Sequence, residues 1–458
     1  MTDERLNTLK NIVSDPESNY GQIRITKIKI SDYRFFCGEY EFDFNGKNVL
    51  MYGENGSGKS SVYKALGLLA SKKYSEITEH VNIFSEGKSP LVEFSFSNGR
   101  DLIIHSDLDE LPKGMEFIEG LSVFSPMLDY KKLLKVHFSM NEKDENINIY
   151  DMLRILFKDY PCKEKQTLSE ITDPIEYFDT LKSIVNSELI VNSNEILNFF
   201  EADVKILSFG FQQKFASDGR GVEPVINIKV EFKDNELTSY HNFLNEARLT
   251  SLAISIYFSA ILRLLDTLNK ECLKILVLDD LLISLDMSNR LKLLEILKNK
   301  FNNFQIFFFT HDKESFDLFR DKMDWEKFEL YLHEIDNIPK PIIKKGASEI
   351  DRAKEFFAQK EYEACALFLR KGFEKLLKNY LPRREQLDKN FNELDLSGLI
   401  GKAIFICSFD DTLQILKSLN SNRKHLLNPL CHSNPKTIHA NEIKEAIENL
   451  EKLNELLK

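Results

Sequence analysis

Eight consecutive residues, Gly53-Glu54-Asn55-Gly56-Ser57-Gly58-Lys59-Ser60, constrain this chain more than any other stretch. Two glycines set five apart and followed by Lys-Ser are what a loop needs if its backbone N–H groups are to turn inward around phosphate. Such a loop must leave a strand and open a helix, because the helix N-terminus completes the anion site. The flanks supply both. Asn48-Val49-Leu50-Met51-Tyr52 is an apolar run of strand length, and Ser61-Val62-Tyr63-Lys64-Ala65-Leu66-Gly67-Leu68-Leu69 repeats with helical periodicity. The pattern predicts nucleotide binding rather than a plain glycine-rich turn. Lys59 is expected to reach the β- and γ-phosphates and Ser60 to ligate Mg²⁺, within a cradle of Gly53, Asn55, Gly56, Ser57, Gly58 and Ser61.

A chain of 458 residues is long enough for two or three domains, and its 43% hydrophobic and 29% charged content is that of a globular protein. It has no long uncharged apolar run, and the polar start Met1-Thr2-Asp3-Glu4-Arg5 lacks a signal-peptide core, so cytoplasmic residence without a membrane is expected. Cys37, Cys162, Cys272, Cys365, Cys407 and Cys431 are never spaced C-x-x-C, which argues against a zinc site or a disulfide framework. The net charge of −11 carries no global footprint for nucleic acid. Arg383-Arg384 and Arg423-Lys424 read as solvated surface.

Along the chain, residues 22–44 alternate as a hairpin feeding the strand before the loop, and a second strand pair spans 90–96 and 101–105 around Ser97-Asn98-Gly99-Arg100. Helical periodicity then marks an insertion over 141–204. Strand patterns return at 205–209 and 225–232, followed by a long helix over 243–268. The apolar runs 273–278 and 305–309 suit strands buried on both faces. Ile338-Pro339-Lys340-Pro341 reads as a linker, and the remainder as helical. The expected organisation is a domain in two parts, 20–140 and 205–338, interrupted by the insertion, with a C-terminal bundle over 347–458.

The strand Leu276-Val277-Leu278 ends in Asp279-Asp280, at the strand end where parallel α/β sheets place their ligands. Asp279 is expected to hold Mg²⁺ through water, and Asp280 to orient or deprotonate the attacking water. A helix cap is the simpler reading of such a pair taken alone. Ser284-Leu285-Asp286 and Thr310-His311-Asp312 follow it. With these motifs the chain resembles the ABC-type ATPases of the RecF, SMC and Rad50 branch, over roughly residues 20–335. The resemblance implies ATP as ligand, His311 as a γ-phosphate sensor and Asp286 as a contact across a dimer interface. It also implies a signature loop acting on the nucleotide of the other subunit. Phe243-Leu244-Asn245-Glu246-Ala247-Arg248 matches best, with Asn245 in place of the usual serine and Glu246 and Ala247 in place of glycines. Arg34, in Ile30-Ser31-Asp32-Tyr33-Arg34-Phe35, matches the family's arginine beside the nucleotide.

Two departures bear on rate and metal. Asp280 stands where the family has a longer glutamate, which implies slow turnover. No glutamine occupies the family's magnesium-contacting loop, and Asn82 is the substitute at hand. The insertion is too short for the coiled-coil arm of SMC or Rad50 proteins.

The C-terminal region shows two helices joined near Lys360, then Leu427-Asn428-Pro429-Leu430-Cys431-His432 and a charged helix. It resembles HEPN-like bundles, some of which cleave RNA with Arg-Asn-x-x-x-His. Leu427 replaces that arginine, which favours a structural or docking bundle over a nuclease, although Arg423 could substitute. The fold class implied is an α/β ABC/SMC-head-like P-loop ATPase with a helical insertion and an all-α C-terminal bundle. Taken together, the chain resembles the ATPase subunits of bacterial anti-phage systems, Septu first and PARIS next. That resemblance implies a head-to-head dimer or higher homo-oligomer holding an HNH or Toprim effector nuclease, with nucleic acid met through the complex. An ATP-gated ribonuclease and a RecF-like repair ATPase are the alternatives.

Overall fold

The structure, a computed structural model, describes residues 22–71, 73–124, 126–137, 147–162, 166–215, 222–267, 272–346, 348–407, 409–423 and 440–457. Of the described residues, those from 22 to 345 belong to an α/β unit and those from 346 onward to a helical unit.

The α/β unit opens with β1 (Ile25–Ser31) and β2 (Glu39–Asp43), then runs through β3 (Val49–Gly53) and the phosphate loop into α1 (Lys59–Ser71). β4 (Leu91–Phe96) and β5 (Asp101–Ile104) follow, then β6 (Met127–Asp129). Three helices come next: α2 (Tyr150–Leu156), α3 (Pro174–Ile184) and α4 (Ile190–Phe200), the last two joined by one π turn, Val185–Leu189. Beyond them lie β7 (Val204–Phe215), β8 (Val222–Phe232), β9 (Asn235–Leu237) and the long helix α5 (Glu246–Leu265). The unit ends with β10 (Ile275–Asp279), α6 (Met287–Lys300), β11 (Gln305–Thr310), α7 (Lys313–Lys322), β12 (Glu326–Ile335) and β13 (Ile338–Lys345).

These strands form three sheets, ordered β2-β1-β4-β5, β13-β12-β3-β11-β10-β6 and β7-β8-β9. In the second, β12, β3, β11, β10 and β6 run parallel. β3 and β11 are buried along their whole length and β10 nearly so, as continuous apolar runs covered on both faces must be. The register sets Asp279 beside Asp129 and Thr310 beside Tyr52, so four strands end at one edge of the sheet. Where the first sheet meets the second, backbone groups are satisfied by side chains. Gln305 accepts the Ile25 N–H and donates to the carbonyls of Ile25 and Lys47, while Asn48 accepts the Ile306 N–H. The insertion helices share this core, with Ile196, Leu197 and Phe200 of α4 buried in the same cluster as α5. Glu246–Leu265 is long and apolar enough to cross a membrane, and most of it is buried within the unit.

The α/β P-loop core and the helical C-terminal region expected from the sequence are both present. The stretch read as a linker is not one: residues 338–341 begin β13, which pairs antiparallel with β12. The hairpin turns at Asp336 and Asn337, whose φ of +54° and +60° suit the two-residue turn of a twisted ribbon. Pro339 and Pro341 are tolerated because β13 is the sheet edge and the two share one alternate position along it. The hairpin β1-β2 likewise belongs to a sheet separate from the loop-bearing β3.

The helical unit contains α8 (Glu349–Ala358), α9 (Tyr362–Tyr380), α10 (Leu396–Ile406), α11 (Asp410–Asn422) and α12 (Ala440–Leu456). Ser348 and Asp351 form a capping box at its start. The first two helices meet at Lys360, whose φ of +65° marks the turn. Leu369, Phe373, Leu399, Leu416, Ile443 and Leu450 are among the residues that close the core. Asn428 and His432 lie outside the described residues. Arg423, just past α11, donates to Asn420 Oδ1 at 3.5 Å.

Candidate functional site

The phosphate loop is shaped by what glycine alone can accommodate. A Cβ on Gly53 would lie 2.7 Å from Ser57 Oγ and 3.0 Å from Lys59 Cβ. Gly58 has φ +98°, and a Cβ there would meet Phe35 at 3.0 Å and Phe36 at 3.3 Å, so the loop is closed against the segment after β1. Asn55 and Gly56 are exposed at its tip, and Ser60 is exposed in the first turn of α1. Ser57 Oγ is buried without a hydrogen-bond partner among the described residues. An orphaned hydroxyl inside an anion-cradling loop is what phosphate oxygens would satisfy. Ser61 Oγ accepts the Phe35 N–H at 3.2 Å.

Lys59 ties this loop to the acidic strand end. Its ammonium lies 3.2 Å from Asp279 Oδ1 and 2.5 Å from Asp280 Oδ2, with the lysine side chain 7% exposed and the two aspartates 15% and 22%. Asp280 sits just beyond β10 at φ +55°, held by its N–H to the Phe309 carbonyl at 3.1 Å. Its Oδ1 accepts the His311 N–H and faces His311 Nδ1, each at 2.9 Å. With Nδ1–H donating to that carboxylate, His311 Nε2 is the acceptor nitrogen of the ring. A non-glycine residue in the left-handed region costs of order 1 kcal/mol, and this strain sits on the carboxylate that joins Lys59 to His311.

A third carboxylate, which the sequence reading missed, completes the cluster. Asp129 ends β6 in register with Asp279, accepts the Tyr63 hydroxyl at 3.2 Å and accepts the Lys132 N–H at 2.9 Å. Its signal was Met127-Leu128-Asp129, an abbreviated echo of Val277-Leu278-Asp279. Burial pushes the Asp279 carboxyl above its usual range; Lys59 draws it down, and Asp280 and Asp129 push it up again. Lys132 adds an ammonium near Asp129, but burial lowers its pKa. Asp279, Asp280 and Asp129 thus act on one another through their charges, although no three acidic, histidine or cysteine side chains among the described residues are grouped tightly enough to hold a metal ion unaided.

Beside the first turn of α1 is an open depression of about 480 Å³ lined by Arg34, Phe35, Ser61, His80, Asn82 and Phe84, among others. Arg34 adopts φ +53°, donates its N–H to the His80 carbonyl and accepts from Asn82 Nδ2, both at 2.7 Å. Asn82 Oδ1 in turn accepts the Phe84 N–H at 2.8 Å. Its amide thus holds the Arg34 segment in place, whereas Asp129 is the side chain set beside Asp279. Burial pushes the neighbouring Tyr33 phenol up to about 12, against the opposing pull of the Arg34 guanidinium.

Asn245 and Asp286 have local roles. Asn245 Oδ1 caps α5 by accepting the Arg248 N–H at 3.0 Å, and Asp286 caps α6 by accepting the Asn289 N–H at 2.9 Å. The structure thus brings Lys59, Asp279, Asp280 and His311 together by direct bonds and sets Arg34 and Ser61 at their flank, while Asn245 and Asp286 stand at helix starts.

No protein-family model matches the chain, and no curated protein matches it. Among solved structures, similar chains include an SMC head bound to the C-terminal winged-helix domain of ScpA, with TM-score 0.41 and 12% identity over 70% of this chain and 98% of that one. An SMC head domain with an extended coiled coil, bound to the C-terminal domain of ScpA and derived from Pyrococcus furiosus, gives 0.39 and 12% over 74% and 100%. The SMC head domain from Thermotoga maritima gives 0.33 and 12% over 70% and 98%. Overlap at this level assigns no residue a role.

Proposed function

We propose that this chain binds Mg·ATP on the loop 53–60 and hydrolyses it slowly. The observation that carries the reading is the Lys59 ammonium bridging Asp279 and Asp280, with His311 on the far oxygen of Asp280. On this reading the lysine exchanges its carboxylate partners for phosphate oxygens when nucleotide enters. Ser57, Ser60 and the first N–H groups of α1 receive the phosphates, and Arg34 and the depression beside it receive the nucleoside. Asp279, Asp129 and Ser60 would hold Mg²⁺, which when bound neutralises phosphate charge. Asp280 would then hold the attacking water and His311 sense the γ-phosphate. The short Asp280 side chain, shared with a lysine and a histidine, supports slow turnover. Calorimetric titration of the purified chain with Mg·ATP, together with phosphate release, tests this: absence of binding would sink it.

Two chains would share the nucleotide, with Asn245 at the start of α5 and Asp286 at the start of α6 facing the partner's phosphate. Asn245 uses its Oδ1 as a cap, which leaves its amide nitrogen as the donor for that contact. The wider role proposed is that of an ATPase subunit in an anti-phage complex, a homo-oligomeric scaffold that holds an HNH or Toprim nuclease. The Asn245-Glu246-Ala247-Arg248 signature, the short insertion folded into the core and the separate helical unit support it. Native mass spectrometry with and without ATP reads the oligomer. Where an HNH or Toprim nuclease gene lies beside this one, loss of phage protection on Lys59→Met in cells carrying both is the expected outcome, and protection that needs neither ATP site nor nuclease would refute the role.

A further inference from the structure

Arg290, in the first turns of α6, is outside every motif above, yet its side chain is 15% exposed and its guanidinium makes four hydrogen bonds. Nε donates to the Leu285 carbonyl at 2.8 Å and Nη2 to the Leu282 carbonyl at 3.2 Å. Nη1 donates to Asp312 Oδ2 and Ser315 Oγ, each at 2.5 Å. Two of these acceptors belong to the turn that follows Asp280. The other two belong to the start of α7, next to His311. Asp312 itself caps α7 through the Glu314 N–H at 3.0 Å, and its carboxyl is held below the usual range: burial opposes this, but bonds from Ser315 and the Arg290 charge outweigh it. On its other side, the turn reaches α5 through a 2.5 Å bond between Ser284 and Thr250 hydroxyls.

We infer that Arg290 is a positioning residue: its planar fork locks the turn 281–286 to the His311 segment, and so sets the distance between Asp280 and His311. Only a guanidinium offers donors to four acceptors in two segments at fixed angles, whereas a lysine supplies a single point of attachment. The Ser284–Thr250 bond extends the same link to α5, the helix that Asn245 caps. This inference rests on the nucleotide reading above.

The test compares wild type, R290M, R290K and D312N by Mg·ATP affinity, steady-state phosphate release and thermal unfolding. A reacting group displaced by about 1 Å can cost up to about 100-fold in rate, so kcat in R290M should fall roughly 10- to 100-fold while KM changes by less than about threefold. R290K should remain as slow, because charge alone does not restore the fork, and D312N should lower kcat in the same direction. Should R290M fail to fold, R290K and D312N read the same effect with side-chain volume nearly kept. Wild-type kcat in folded R290K and D312N would overturn the inference, as would a raised KM at unchanged kcat. A wild-type chain that binds no nucleotide overturns the reading and the inference together, and is distinguished by its own titration.

Discussion

The two units bury polar groups in different ways. In the α/β unit, Lys59, Asp32 and Glu329 are buried charged side chains, each held by partners: Lys59 by two aspartates, Asp32 by Ser85 and the Gly38 N–H, and Glu329 by Lys313. In the helical unit, the buried polar side chains among the described residues are Gln386 and Thr412, and the core is otherwise apolar. Burying charge is costly unless it is paired, and removing one partner leaves the other stranded. A cluster of that kind beside a phosphate loop marks where chemistry is to be sought. The described core of the bundle is held by apolar packing.

The largest effect that separates the two is expected from Lys59→Met, which should weaken Mg·ATP binding by at least about 100-fold in calorimetry. Unchanged affinity would remove the loop from the site. Asp280→Asn should keep nucleotide binding and lower phosphate release by about 10² to 10⁴-fold. Brisk hydrolysis by that variant would move the general base elsewhere, with His311 Nε2 the next group to examine. In the bundle, Leu369→Ala should cost about 2–5 kcal/mol in denaturant unfolding and leave Mg·ATP affinity unchanged. A parallel loss of affinity would break the contrast between a packing unit and a chemical one.

The smallest effect is on pH. Because folding raises the Asp279 pKa, the folded chain holds that proton more tightly than the unfolded chain, and its ionisation costs stability as pH rises from the unfolded value through the folded one. If Asp279 holds Mg²⁺ as proposed, the ion requires the ionised form, and its affinity should weaken by up to about tenfold per unit as pH falls below the raised pKa. Magnesium titrations across the acidic range should show this slope in wild type and a shallower one in Asp279→Asn.

Local chemistry made much of the site legible. The loop 53–60 announces itself because one short segment must supply strand exit, left-handed glycines, the lysine and the helix start. Asp279-Asp280 and His311 are legible as polar ends of apolar strands. Asp129 was not, because a three-residue strand has no periodicity of its own and exists only by pairing with β10. The β12–β13 ribbon was hidden by two prolines that would exclude an inner strand but not an edge. Arg290 carries no motif at all, since its four acceptors lie in two separate segments, the turn before its own helix and the start of α7.

By itself, then, the sequence determined a glycine-rich strand-loop-helix, the two acids and histidine that accompany it and a separate helical region, because each depends on residues within a few turns of one another. Tertiary structure decided which carboxylates meet the lysine, that Asp280 is shared between Lys59 and His311, that Asp129 lies in register with Asp279, and that Arg290 bonds the residue after His311. Those choices depend on sheet order and register, which bring together side chains separated by scores of residues and which no local pattern encodes.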